Sequence, residues 1–150
     1  MSTAIHVSTG SVDEATRESG ASPPLLSIVL LCIAFGLALL TAWGPTFAHL
    51  GDAQWATHEK FHAWREIFLA SVCSVAGILL CLGPLKRGEP NALMAVGVLG
   101  LAVVAGFWAG LPITGIGKAG WEPFANHGLQ LAALIAGYVT ARSAYRARAA

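Results

Sequence analysis

Charged side chains are scarce in this chain. Of its 150 residues, 11% are Asp, Glu, Lys or Arg, 55% are hydrophobic, and the formal net charge is +1. An ordinary soluble domain carries roughly 25% charged residues, so the composition does not fit that class. A net charge this close to zero gives no electrostatic basis for binding nucleic acid. The composition is typical of a chain embedded in a membrane.

Cysteine is also rare. The chain has three, Cys32, Cys73 and Cys81. All lie inside apolar stretches and none forms a C-x-x-C pair, which argues against a disulfide framework and a thiolate zinc site. We interpret them as small core residues.

Four apolar stretches occupy most of the chain. They run over residues 25–47, 61–82, 92–113 and 124–141. Each is near the ~20 residues that a helix needs to cross the hydrocarbon of a bilayer. The sequence therefore predicts an all-α fold, an integral membrane bundle of four transmembrane helices.

The two ends of the chain are polar. Residues 1–24 are rich in Ser, Thr, Gly and acidic residues, lack the cationic start of a signal peptide and are predicted to form a flexible tail. Residues 142–150 form a basic tail, and further cations lie between the second and third stretches. Because cytoplasmic segments are enriched in Lys and Arg, both termini are predicted to be cytoplasmic. A bacterial inner membrane is the expected location.

The predicted topology brings the unusual polar residues to one membrane face, the outer one. Ionisable groups at membrane depth are costly and usually face a bundle interior or a cavity, so their clustering predicts a functional pocket. The clustered residues are His49, Asp52, His58, Glu59, His62, Arg65, Glu66, Glu122, Asn126, His127 and Gln130.

Helical spacing aligns these residues. At 100° per residue, Trp55, His58, His62, Arg65 and Glu66 fall within a third of the circumference of the second helix. Glu66 is the predicted acid or base.

The third and fourth stretches supply the other walls. Asn126 and Gln130 are one turn apart with His127 beside them, and are predicted to line a substrate pocket with Trp55. Gly106 and Gly110 form a G-x-x-x-G pattern that predicts close helix approach and a possible homo-oligomer interface.

The segment HEKFH, residues 58–62, matches the H-E-x-x-H pattern of zinc peptidases, in which Glu59 would be the catalytic base. A bundle this small has little room for a cleft around a peptide bond, and no metzincin extension follows. We therefore predict that the protein is not a protease.

Two cofactors agree better with these residues. A zinc or iron ion could be held by His58 and His62 with His49 or His127 as a further ligand. Haem needs one axial imidazole from His58 or His62, apolar walls and a cation such as Arg65 near the propionates. The alternative is an interfacial collar in which the tryptophans form an aromatic belt.

The segment WATHEKFH, residues 55–62, resembles an uncharacterised group of small four-span membrane proteins with a Trp shortly before H-x-x-x-H at the start of the second span. That likeness implies a pocket at this place. Trp55, Ala56 and His58 also resemble, more distantly, the styrene oxide isomerase family. This second likeness implies haem bound through an axial His58 and Lewis-acid opening of an epoxide. In that family a polar Asn is expected a few residues after the axial His. This sequence has Trp64 and its charged neighbours there instead.

Two functional hypotheses follow. The first is a membrane-embedded enzyme of the isomerase or oxidoreductase type that acts on a small hydrophobic substrate or lipid. The second is a noncatalytic subunit or ligand-binding membrane protein.

Overall fold

The computed structural model describes residues 22–114 and 122–149. Within these ranges the regular structure is helical, which confirms the all-α part of the prediction. Most of the predicted N-terminal tail and of the link before the fourth helix lies outside the described residues. Four long helices span Leu25–His49, Thr57–Leu85, Pro90–Thr114 and Glu122–Ala149.

Three of these helices are long and apolar enough to cross a membrane. They are the first helix, the second helix and, within the third, the segment Asn91–Ala109. Their outward surfaces are lined by exposed Leu, Val, Ile and Phe side chains. Such a surface is stable in hydrocarbon and unfavourable in water.

Local chemistry sets the helix ends. The second helix follows Ala56, whose backbone N–H donates to the Glu59 carboxylate at 2.9 Å. This bond satisfies a backbone donor that the helix itself cannot satisfy. The turn before the third helix reverses at Gly88, with φ of 79°, a conformation that glycine adopts without steric cost. An Arg87–Glu89 ion pair of 2.7 Å lies in the same turn.

Two Gly-Pro pairs widen the helices locally. Residues Ala42–Thr46 and Cys81–Leu85 form π-helical turns that contain Pro45 and Pro84. Proline has no N–H and so breaks the regular hydrogen-bond ladder, and a π turn lets the helix continue past it. The first helix therefore extends to His49 and the second to Leu85.

The four helices form a closed ring. The first helix packs on the second and fourth, and the third packs on the same two. The first and third helices also touch across the ring, whereas the described parts of the second and fourth have no close backbone contact. This arrangement leaves space between the second and fourth helices, next to the third helix.

We call residues 25–40, 71–101 and 131–147 the base, and residues 41–70, 102–109 and 124–130 the mouth. In the base, glycines bring helices into direct contact. Gly77 lies under the ring of Phe35, which is 1% exposed, and Gly137 lies against Leu31. Gly97 and Gly100 let the third helix approach the fourth closely, packing on Tyr138 and Leu134. The base is the hydrophobic core of the bundle.

Candidate functional site

A cleft of about 430 Å³ with polar residues in its lining lies in the mouth, between the second, third and fourth helices. Leu69, Ala70, Ala102 and Val103 supply apolar walls. The other lining residues are His62, Arg65, Glu66, Gly106, Phe107 and His127. The cleft thus combines the three polar residues of the second-helix stripe with His127 of the fourth.

Gly106 helps to keep this cleft open. A Cβ built on Gly106 would meet no described atom within 4 Å, in contrast to Gly77, Gly97, Gly100 and Gly137 of the base. Gly106 therefore does not serve as a helix contact inside the described bundle, and its predicted role in self-association stays a prediction. Its lack of a side chain leaves space beside Phe107.

A smaller recess continues from the cleft toward the first helix. It has a volume of about 30 Å³, and Glu66 and His127 line both spaces. Thr41, Thr46 and Gln130 complete its polar lining. A water molecule needs roughly 10–15 Å³ of such space, so the recess has room for one or two.

Gln130 is the most deeply buried polar side chain of this recess, at 2% exposure. It lines the recess together with His127. Burying an amide is costly unless it is hydrogen-bonded. The polar lining of the recess therefore explains why Gln130 can be buried inside the bundle.

His127 is held by Phe107. The two rings stack with centroids 3.8 Å apart and planes 17° apart. The Nδ1 atom of His127 is buried and has no hydrogen-bond partner among the described residues. Stacking on Phe107 fixes the plane of the imidazole.

Glu66, on the second helix, is exposed and lines the same cleft as His127. Within the described residues its carboxylate makes no hydrogen bond or ion pair; Arg87–Glu89 is the ion pair found there. A carboxylate without a partner, beside apolar walls, is available for proton transfer.

Asn126 is placed differently from its predicted pocket role. Its side-chain amide donates a hydrogen bond to the Thr41 hydroxyl, which in turn donates to the Leu37 carbonyl at 2.8 Å. The chain of bonds ties the fourth helix to the first just before the π turn at Ala42–Thr46. Asn126 therefore links the fourth helix to Thr41, a residue that lines the recess.

The two histidines of HEKFH contact each other at the rim. Their Nε2 atoms are 2.9 Å apart, and both side chains are exposed. His62 also lines the cleft, whereas His58 does not. The predicted i, i+4 pair is thus brought together by the helix.

Three other predicted site residues lie apart from the cleft lining. Glu59 accepts the Ala56 N–H at the helix start, and the His49 ring stacks on Trp55 with centroids 4.7 Å apart. Their predicted catalytic, metal and substrate roles stay predictions. The side chain of Glu122 lies outside the described part of the structure.

Sequence reasoning missed Thr41, Thr46 and Phe107. A signal was present for the threonines, since they flank a Gly-Pro pair in an otherwise apolar helix.

Trp43, Phe47 and Trp64 form an exposed aromatic cluster, and the Trp43 indole donates to Ser71 at 2.8 Å. This arrangement agrees with the predicted aromatic belt.

The donor atoms do not form a complete metal site in the described residues. No group of three or more His, Cys, Asp and Glu is found there. Catalytic zinc normally has three protein ligands, and His58 with His62 provide two.

Comparisons with protein-family models, curated proteins and solved structures find no match to this chain. The cleft is therefore the feature from which we infer a function.

Proposed function

We propose that the protein is a membrane-embedded enzyme of the isomerase type that moves a proton within a small hydrophobic substrate. One observation carries this proposal: Glu66 and His127, from two helices that do not touch, line the same apolar-walled cleft. Ionisable groups are costly at membrane depth and are retained mainly where they function.

The proposal includes a fourth membrane span. The fourth helix is less apolar than the others because it carries Asn126, His127 and Gln130, which contact the first helix, the cleft or the recess. Its outward residues Leu129 and Val139 are apolar and exposed, as lipid contact requires. We place both termini in the cytoplasm, with the mouth on the outer side of a bacterial inner membrane.

The chemistry we assign is a 1,3-proton shift in an unsaturated carbonyl compound. Glu66 takes a proton from the carbon beside the carbonyl, and the C–H electron pair forms the enolate. Glu66 then returns the proton to the far carbon of the double bond, which gives the isomer without oxidation or added atoms. His127 donates a hydrogen bond to the enolate oxygen, where the charge develops.

The remaining residues orient the substrate. Arg65 and His62 face the polar end of the substrate at the rim, while Ala102, Val103 and Gly106 contact its hydrocarbon part. Water in the recess exchanges protons with Glu66 between turnovers.

Haem is a second candidate, favoured because His62 and Arg65 line a cleft with apolar walls. His62 or His58 would be the axial ligand, and Arg65 would face a propionate. Haem would supply Lewis-acid or redox chemistry, as the likeness at Trp55 and His58 implies. An absorption spectrum of the purified protein tests this candidate without an activity assay.

The experiment for proton transfer uses detergent-purified protein and a panel of small unsaturated ketones and epoxides in D₂O. Mass spectrometry would detect rearranged product and deuterium at carbon. Glu66→Gln should abolish both signals, because the amide cannot accept the proton. Glu59→Gln should retain both, because the amide oxygen can still accept the Ala56 N–H.

A stability control separates chemistry from folding. Glu66→Leu should unfold at about the same temperature as the wild type, because the Glu66 side chain is exposed and makes no hydrogen bond or ion pair within the described residues. Severe destabilisation would show that Glu66 is a structural group. A protein that turns over nothing, carries no haem and copurifies with a partner would support the noncatalytic subunit instead.

A further inference from the structure

The exposed histidine pair at the rim has a geometry that neither the proton shift nor haem uses fully. His58 and His62 lie one helical turn apart, with ring centroids 4.4 Å apart and planes 83° apart. Their Nε2 atoms, 2.9 Å apart, share one hydrogen bond. In the neutral pair one Nε2 carries the proton and the other accepts it. The two nitrogens are therefore close enough for one ion to contact both after the rings rotate.

That spacing suits a metal ion. Zinc binds imidazole nitrogen at about 2.0–2.1 Å, and an ion at that distance from both atoms would hold them at an angle of about 90°. Neighbouring ligands in octahedral and square-planar complexes make this angle, and a small ring rotation opens it toward the tetrahedral value. The shared proton would move to Nδ1 of its ring, which leaves both Nε2 lone pairs for the ion.

We propose that His58 and His62 bind an exchangeable divalent transition-metal ion from the water at the mouth. No third His, Cys, Asp or Glu joins them among the described residues, so water completes the coordination shell. Copper(II) should bind most tightly, nickel(II) and zinc(II) more weakly, following the general order for nitrogen ligands. This site does not rest on the proposed proton shift.

The ion would act on the cleft through His62, which belongs to both features. Bridging the two rings holds His62 at the rim and joins two turns of the second helix. The bound state should therefore raise the unfolding temperature.

The test is a copper(II) titration of full-length protein without a histidine tag, followed by calorimetry, electron paramagnetic resonance and thermal unfolding. We expect one ion bound through two nitrogens by the His58–His62 pair. His58→Ala and His62→Ala should each weaken binding by about tenfold or more, because half of the imidazole ligands are lost. Both variants should also lose the rise in unfolding temperature.

The matched control is His49→Ala, which removes an exposed imidazole that stacks on Trp55 outside the pair. It should keep the wild-type affinity and spectrum, as should His6→Ala in the tail. Equal binding in the wild type and in both pair variants would overturn the proposal. Absence of binding in the wild type, or a haem absorption band that depends on His62, would also overturn it.

Discussion

The base and the mouth of the bundle are built on opposite principles. In the base, large side chains such as Phe35 and Leu31 fill the spaces left by glycines on neighbouring helices. In the mouth, Gly106 faces empty space, and the Glu66 carboxylate has no hydrogen-bond or ion-pair partner within the described residues. Close packing stabilises a protein, whereas open clefts and unpaired charges reduce stability and are kept where function needs them. We therefore expect stability to depend mainly on the base, and the proposed function to depend on the mouth.

Phe35→Ala gives the largest expected effect on this comparison. The ring is 1% exposed, and removing a buried Phe side chain costs about 3–5 kcal/mol. Phe107→Ala, at the half-buried wall of the cleft, should cost clearly less. The free energy of unfolding of each variant, measured in the same detergent, gives the difference. Equal losses would show that the mouth is as important to stability as the base.

Gly77→Ala should destabilise the protein by about 1–3 kcal/mol, the usual cost of overpacking. Its Cβ would lie 2.3 Å from the Phe35 ring, which has no room to move. Gly106→Ala and Gly36→Ala are the controls, since a Cβ there meets nothing within 4 Å. Both should be neutral or stabilising, because Ala favours helix over Gly by about 1 kcal/mol. A loss in Gly106→Ala would mean that the cleft is closed in solution.

Asn126→Ala should have the smallest effect, about 0.6 kcal/mol, the average for a hydrogen bond between membrane helices. The variant removes the donor to Thr41 at the junction of base and mouth. A double-mutant cycle with Thr41→Val measures the coupling directly. Strict additivity of the two changes would mean that this bond does not join the helices.

The helices and the polar stripe could be predicted from the sequence. Apolar stretches of about 20 residues identify helices whatever their neighbours, and the spacing of His62, Arg65 and Glu66 depends only on helix geometry. The observed helices extend beyond the apolar stretches because hydropathy reports lipid contact and not the hydrogen-bonded ends.

The inner part of the site could not be predicted in the same way. The recess depends on which helices are neighbours and on a hydrogen bond between residues as distant as Thr41 and Asn126. Glu59 and Glu66 look equivalent as carboxylates in the sequence, yet one accepts a backbone N–H and the other faces the cleft. The Gly-Pro pairs were visible, but proline alone does not tell whether a helix ends or forms a π turn.

The most direct test is chemical cross-linking across the cleft. Glu66→Cys and His127→Cys are combined in a chain whose Cys32, Cys73 and Cys81 are replaced by Ser, and a short bifunctional thiol reagent is added. Mass spectrometry should find the two positions bridged. Leu129→Cys, 63% exposed on the same helix, replaces His127→Cys as the control and should not bridge. Failure of the 66–127 pair to bridge, or equal bridging in the control, would contradict the arrangement on which the proposed function depends.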